Sequence, residues 1–320
     1  MSMKKGINNI HDKTYRSFFE NKEIFLELLQ SFVKESWADQ LNPEGLSEDK
    51  SHYVVRDYEE IEADVVYTAT IEDQEVIFCI LLELQSTVDY SMPIRLFSYT
   101  AEIWRKYVKQ FPKGEVKKKG FKLPAVIPIV LYNGEPTWTA AMEFKDKIQR
   151  VELFGDYAIN FKYALINVNN YSKENLIEIE NIVSAIFLLD QKIDAQEFIK
   201  RAAVVATEFE NIPEEQKLRL VDWLDHTTEG TVREAVLKMF KSNLSKEEVG
   251  ILTANITKTL QEMNERAENA KKNGKIEGKT EEKIGVAKKA IAKGLDDETI
   301  SDLTELTIEE IQSIRKSLAS

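Results

Sequence analysis

Residues 63–85 read Ala63-Asp-Val-Val-Tyr-Thr-Ala-Thr-Ile-Glu-Asp-Gln-Glu-Val-Ile-Phe-Cys-Ile-Leu-Leu-Glu-Leu-Gln85. How this stretch divides decides the fold. Ala63 to Ile71 is rich in Val, Tyr, Thr and Ile, which favours a strand. Glu72-Asp73-Gln74 is a polar break. Glu75 to Gln85 reads as a second strand. Its run Val76 to Leu82 is apolar on both faces, the pattern of a central strand covered on both sides. With Asp73-Gln74 as a two-residue hairpin loop, Glu72 faces Glu75 and opposed residues sum to 147. Asp64 then faces Glu83, and Glu62 faces Gln85. Residues two apart share a face of a strand, so these polar groups gather at one end of an apolar sheet.

Two carboxylates at that spacing repel each other, and one pKa rises unless a cation lies between them. Magnesium suits such a place: it takes hard oxygen ligands, typically one or two carboxylates plus water and substrate phosphate. The bland alternative is that Glu83 and Gln85 lie past the buried part of the strand and are merely solvated. Asp64 is harder to dismiss, because an acid inside a β-rich run carries a desolvation cost.

Outward from this pair, residues 11–35 read as a helix capped by Asp12, with Phe18, Phe19, Phe25, Leu28, Leu29 and Phe32 at mostly helical spacing. Residues 37–51 form a polar loop, and 52–58 a short β-rich run. Met92 to Phe111 reads as a helix with Pro93 in its first turn. Pro124 to Tyr132 is an apolar strand closed by Asn133-Gly134, and residues 158–168 hold a further strand. After Asn170 the pattern is helical through Asn243 and continues as polar helix to Asn269. Gly274, Gly278 and Gly285 among Lys and Glu suggest a linker. Glu282–Lys293, Asp297–Leu303 and Ile308–Leu318 read as helices, the last opened by a capping-box pattern at Thr307. Three short helices fit a helix-turn-helix silhouette and equally an assembly segment. The organisation expected is 1–170 core, 171–265 helical domain, and 266–320 linker with small helical tail.

One cysteine, Cys79, excludes an intrachain disulfide framework and Cys-rich zinc sites, and three scattered histidines argue against a His-built metal centre. No apolar run approaches the length of a membrane helix. The N-terminus has no apolar stretch of a signal peptide, so a cytoplasmic location is expected. Net charge is −12, which alone argues against a nucleic-acid partner. Its distribution says otherwise: between Arg105 and Lys122 stand eight basic residues, including Lys117, Lys118 and Lys119, opposed only by Glu115. They read either as a solvated loop or as a phosphate-facing rim beside the acids.

Several segments together resemble the Rpn family of recombination-promoting nucleases and candidate transposases, also described as YhgA-like, within the PD-(D/E)XK superfamily. These are His11-Asp-Lys-Thr-Tyr-Arg-Ser-Phe-Phe19, Ala63-Asp64-Val-Val-Tyr67, Leu82-Glu83-Leu-Gln85-Ser86, Arg95-Leu-Phe-Ser-Tyr99 and Leu123-Pro-Ala-Val-Ile-Pro-Ile-Val-Leu-Tyr-Asn-Gly134. Their order and spacing match over roughly residues 8–170. The resemblance implies an α/β fold: a restriction-endonuclease-like core with a mixed sheet flanked by helices, here followed by an α-helical domain and a small helical tail. It also implies Mg²⁺- or Mn²⁺-dependent endonucleolytic cleavage of DNA. Asp64 matches the first strand acid and Glu83 the acid of the (D/E)XK element, the two metal ligands. Gln85 replaces that element's lysine and cannot supply its charge; it can orient water or hydrogen-bond phosphate. Glu62, Glu27 and Glu23 are candidates for an additional acid. Arg95 and Tyr99 share a helix face and either touch phosphate or serve as ion-pair partner and core residue. The expected partner is DNA, with no membrane association and room for a homo-oligomer. The rival expectation is a catalytically degenerate nuclease fold that binds DNA or protein.

Overall fold

The computed structural model describes residues 15–48, 65–71, 74–83 and 88–319. Glu62, Asp64 and Gln85 therefore lie outside the described residues, as do the 52–58 run and the proposed Asp12 cap.

The chain divides into two compact units, residues 1–254 and 255–320. In the first, residues 15–19 are helical and the chain then breaks at residues 20–21. Asn21 restarts it as the N-cap of α1 (Lys22–Leu28), its side chain accepting from the N–H groups of Glu23 and Ile24 at 3.0 and 3.1 Å. The expected single helix over 11–35 is thus interrupted by a capping residue within an otherwise periodic pattern. A five-stranded mixed sheet follows in the order β1 (Ser47–Glu48), β2 (Val65–Ile71), β3 (Gln74–Glu83), β4 (Ala125–Tyr132), β5 (Ala164–Asn167). The first three strands run antiparallel, and β4 and β5 lie parallel to β3. Parallel neighbours need a crossover. The one from β3 to β4 carries α2 (Met92–Lys109) and the one-turn α3 (Lys113–Val116).

The β2–β3 register corrects the sequence expectation. Val65 pairs with Ile80 and Ile71 with Gln74, so opposed residues sum to 145 rather than 147. Val65 therefore does not face Leu82, and the ladder does not follow the register that set Asp64 opposite Glu83. Gln74, expected in the hairpin loop, still pairs within the ladder, opposite Ile71. A shift of two preserves which residues share a face.

β3 is covered on both sides. On one, Met92, Leu96, Tyr99 and Ile103 of α2 pack with Val66, Ile77, Cys79, Val130 and Tyr163. On the other, Phe25 of α1 stacks on Tyr67 at 4.1 Å and meets Phe78 edge-on at 6.0 Å. Burying an aromatic side chain this way contributes roughly 1.5–3 kcal/mol. Pro128 lies inside β4 although it has no N–H. It stands one residue before the β4–β5 ladder begins at Ile129, where β4 still has an open side.

The helical half follows as α4 (Lys173–Ile179), α5 (Ile182–Asp190), α6 (Ala195–Glu208), α7 (Glu214–Thr227) and α8 (Gly230–Lys241). It packs into the same unit as the sheet: Phe187 of α5 meets Phe32 edge-on at 4.6 Å. Eight of the nine α5 residues are apolar or small and buried, so this helix belongs to the core. A boundary at residue 170 would cut through that packing. α9 (Lys246–Ala292) is one continuous helix of 47 residues. The expected linker is helical, since the Lys, Glu and Ala around each glycine are strong helix formers.

In the second unit, the end of α9 packs with α10 (Asp297–Thr304) and α11 (Ile308–Ala319) around Ala287, Ala290, Ile300, Leu306 and Ile311. The capping box at Thr307 forms: Glu310 accepts from the Thr307 N–H at 2.8 Å, and the Glu310 N–H reaches the Thr307 hydroxyl at 3.3 Å. Among the described residues, no helix is long and apolar enough to cross a membrane.

Candidate active site

Glu83 is the last residue of β3 and stands in register with Tyr132, the last residue of β4, which in turn pairs with Asn167 of β5. The carboxyl ends of three parallel strands converge there, the usual place for ligands in sheets with this connection. The described residues that follow each strand are pinned. After β3, Asp89 folds back on the start of α2: its carboxylate accepts from the Ser91 N–H at 2.8 Å, the Ser91 hydroxyl at 2.6 Å and Arg95 Nη1 at 2.6 Å. Burial by itself raises the Asp89 pKa, but these donors outweigh it and hold the carboxyl below its ordinary value.

After β4, Tyr132 is fully buried, donates its hydroxyl to the Pro136 carbonyl at 2.7 Å and meets Trp138 edge-on at 4.8 Å. Gly134 is required beneath that ring, since an added Cβ would fall within the hydroxyl and ring atoms of Tyr132. Asn133, 3% exposed, donates to the Asp190 carbonyl at 2.9 Å and to the Asp190 carboxylate, and accepts from Asn169 at 2.9 Å. The Tyr15 hydroxyl donates to the same Asp190 carboxylate at 2.7 Å. Burial first, and the adjacent carboxylate second, push the Tyr15 pKa well above its ordinary value, so this hydroxyl is a permanent donor. Beside it, Gln191 donates to the Val168 and Tyr171 carbonyls at 2.8 and 2.7 Å and accepts from Arg201 Nη1 at 2.5 Å. Thus the helical half clamps the ends of β4 and β5. Sequence reasoning missed this network. Its only signal is Asn133-Gly134 beside a strand end, which reads as a turn.

The structure separates the other candidates. Tyr99 is a core residue, 2% exposed. Arg95 is committed to Asp89, with its side chain 15% exposed. Glu27 faces α7 and the start of α5. Its Oε1 accepts from Gln216 at 3.2 Å, while its Oε2 and Gln216 Oε1 are buried with no hydrogen-bond partner among the described residues. Burial raises the Glu27 pKa, opposed by bonds from Gln216 and the Ile182 N–H. Glu23 lies in the first turn of α1, close enough to raise Glu27 further.

The basic segment is not beside Glu83. Val76, near the start of β3, pairs with Ala125, the first residue of β4. The lysines immediately precede Ala125 in the chain. Seven residues separate this pair from Glu83–Tyr132, about 23 Å at roughly 3.3 Å per residue. α2 runs back from the carboxyl ends to the amino ends of the strands, and Trp104 donates to the Pro124 carbonyl at 2.9 Å there. The expected rim therefore stands at the other end of the sheet.

Among the described residues, no group of three or more His, Cys, Asp or Glu side chains is placed to hold a metal. Asp64, half of the expected metal pair, lies outside those residues. In the tail, Glu309 and Glu310 occupy the first turn of α11. Acids there complement the helix dipole.

A family model described as "putative transposase, YhgA-like" matches residues 9–220. The match includes the sheet and continues through α4, α5, α6 and half of α7. No solved structure matches the chain.

Proposed function

The chain belongs to the YhgA-like transposase family, and from that premise we propose that it is a metal-dependent endodeoxyribonuclease, with a PD-(D/E)XK-type core that cuts DNA during recombination or transposition. The observation that carries this reading is the place of Glu83, an acid ending a central strand that is buried on both faces, where parallel strand ends converge. The mixed sheet flanked by helices is the architecture that the resemblance implies.

Asp64 and Glu83 would hold Mg²⁺ or Mn²⁺. Their hard carboxylate oxygens suit such an ion, while the three histidines are scattered along the sequence and the single cysteine is buried in the core. A bound dication supplies a polarised phosphoryl oxygen and a water of lowered pKa. Gln85 donates to or accepts from that water or the phosphate, and orients it without adding charge. The clamp of Asn133, Asp190 and Tyr15 holds the neighbouring strand end rigid, so the acids meet substrate in a fixed frame.

Cleavage of supercoiled plasmid with and without Mg²⁺, comparing wild type with Glu83→Ala and Asp64→Ala, tests the reading. Metal-dependent cleavage that both variants lose supports it. Cleavage unchanged in either variant rejects that residue's role. Gln85 in place of lysine favours one alternative, a degenerate nuclease fold that binds DNA without cutting it. A folded wild-type protein that binds DNA but never cleaves would select that reading.

A further inference from the structure

Lys109, Lys113, Lys117, Lys119 and Lys122 are all exposed, and among the described residues none of them makes an ion pair. Arg105 is paired with Glu102, and Lys118 with Glu115. A segment that is merely solvated has no need of a scaffold, yet this one is held. Tyr107, Phe111 and Phe121 form an aromatic cluster, with ring centroids 5.1, 5.4 and 6.5 Å apart. The turns close through Lys118 N–H to Glu115 carbonyl and Phe121 N–H to Lys118 carbonyl, both 3.0 Å. The platform carries eight basic residues and one acid in a chain whose net charge is −12. Such segregation concentrates positive potential on one end of the sheet.

Between the platform and the carboxyl strand ends runs the outer stripe of α2. Ile94, Ser98, Ala101, Arg105 and Lys109 follow one another at helical spacing and are exposed or half-buried. From Ile94 to Lys109 the stripe is about 22 Å long at roughly 1.5 Å per residue. This agrees with the length of strand between the two ends.

We propose that the lysine platform is a second anchor for the backbone of duplex DNA, separate from the cutting end and about 23 Å from it. The proposal rests on the reading of the Glu83 end as the cutting end. Its consequence is a length threshold. At about 3.4 Å per base pair, a duplex must extend about 7 base pairs to one side of the cut to reach the platform. Duplex DNA is stiff over this span, with a persistence length of about 150 base pairs, so it cannot fold back to satisfy both ends when short.

The test compares wild type with a variant carrying Lys→Ala at 113, 117, 119 and 122. Duplexes of about 6 to about 30 base pairs span the threshold. For the wild type, the cleavage rate at low substrate should rise about 10-fold once the flank exceeds the threshold. The variant should lose that rise and keep the rate on the shortest duplex. Binding is read separately by anisotropy. The slope of log K against log salt should flatten by about 0.9 for each phosphate that the variant no longer neutralises, and Lys→Arg at the same positions should restore it. An unchanged slope and an unchanged length profile overturn the anchor. The binding arm is also run on Glu83→Ala, where the platform is intact. If wild type never cleaves but the salt slope still responds to the lysines, the cutting-end reading fails and the anchor stands.

Discussion

Asn133, at the end of β4, donates its side-chain amide to both the carbonyl and the carboxylate of Asp190, at the end of α5. Two elements 57 residues apart are thereby joined at the edge of the candidate site. The same carboxylate receives the Tyr15 hydroxyl. Asp190→Ala takes the carboxylate from the Tyr15 hydroxyl and from one N–H of Asn133, while the residue-190 carbonyl keeps its bond to the Asn133 amide; each lost partner costs about 1–3 kcal/mol. Urea denaturation should show a loss of about 3 kcal/mol, and Asp190→Asn, which keeps one acceptor oxygen, should lose less. A loss within experimental error for Asp190→Ala would mean that the clamp does not hold the strand end.

Gly134→Ala forces the Tyr132 ring to move, because the new methyl group occupies its space. The ring gives up its bond to the Pro136 carbonyl and its packing against Trp138. Overpacking of this kind costs about 1–3 kcal/mol. Removing the ring should relieve it, so Tyr132→Ala combined with Gly134→Ala should cost less than the sum of the two single changes. Strict additivity in equilibrium unfolding would contradict the geometry.

Glu27→Gln should stabilise the protein at neutral pH. The wild-type carboxyl has a folded pKa raised above its ordinary 4.5, chiefly by burial. A group raised in the folded state favours folding when protonated. Its contribution is full below the unfolded pKa and is lost as pH rises through the folded one. Glutamine removes that loss, and its amide can donate to Gln216 Oε1, which has no hydrogen-bond partner among the described residues. The expected gain is about 1 kcal/mol at neutral pH, shrinking toward zero below the ordinary carboxylate value. Melting temperatures of both proteins across acid to neutral pH measure it. A gain that grows toward acid would reverse the sign and refute the assignment.

Magnesium should raise the melting temperature if Asp64 and Glu83 hold it. At 100 times its dissociation constant, an ion that binds only the folded state stabilises by about 2.7 kcal/mol. In a unit of this size, that corresponds to a shift of several degrees. Glu83→Ala should abolish the shift while calcium-free, magnesium-free melting stays close to wild type. An equal shift in wild type and variant would place the ion elsewhere.

Local chemistry is what the sequence by itself determined. Val76 to Leu82 is apolar on both faces, and β3 is indeed central and doubly covered. Thr307 and Glu310 form their capping box because both partners lie within one turn. Cys79 is buried because its neighbours on the strand are apolar. Tertiary structure alone decided what depends on residues far apart. The β2–β3 register differs by two from the one that the turn residues suggested, since alternation is unchanged by an even shift and cannot choose between them. The lysine segment lies at the far end of the sheet because β4 runs parallel to β3, and a parallel crossover returns the chain to the starting end. Asn133 meets Asp190 because α5 packs on the sheet, a pairing that no spacing in the intervening residues encodes.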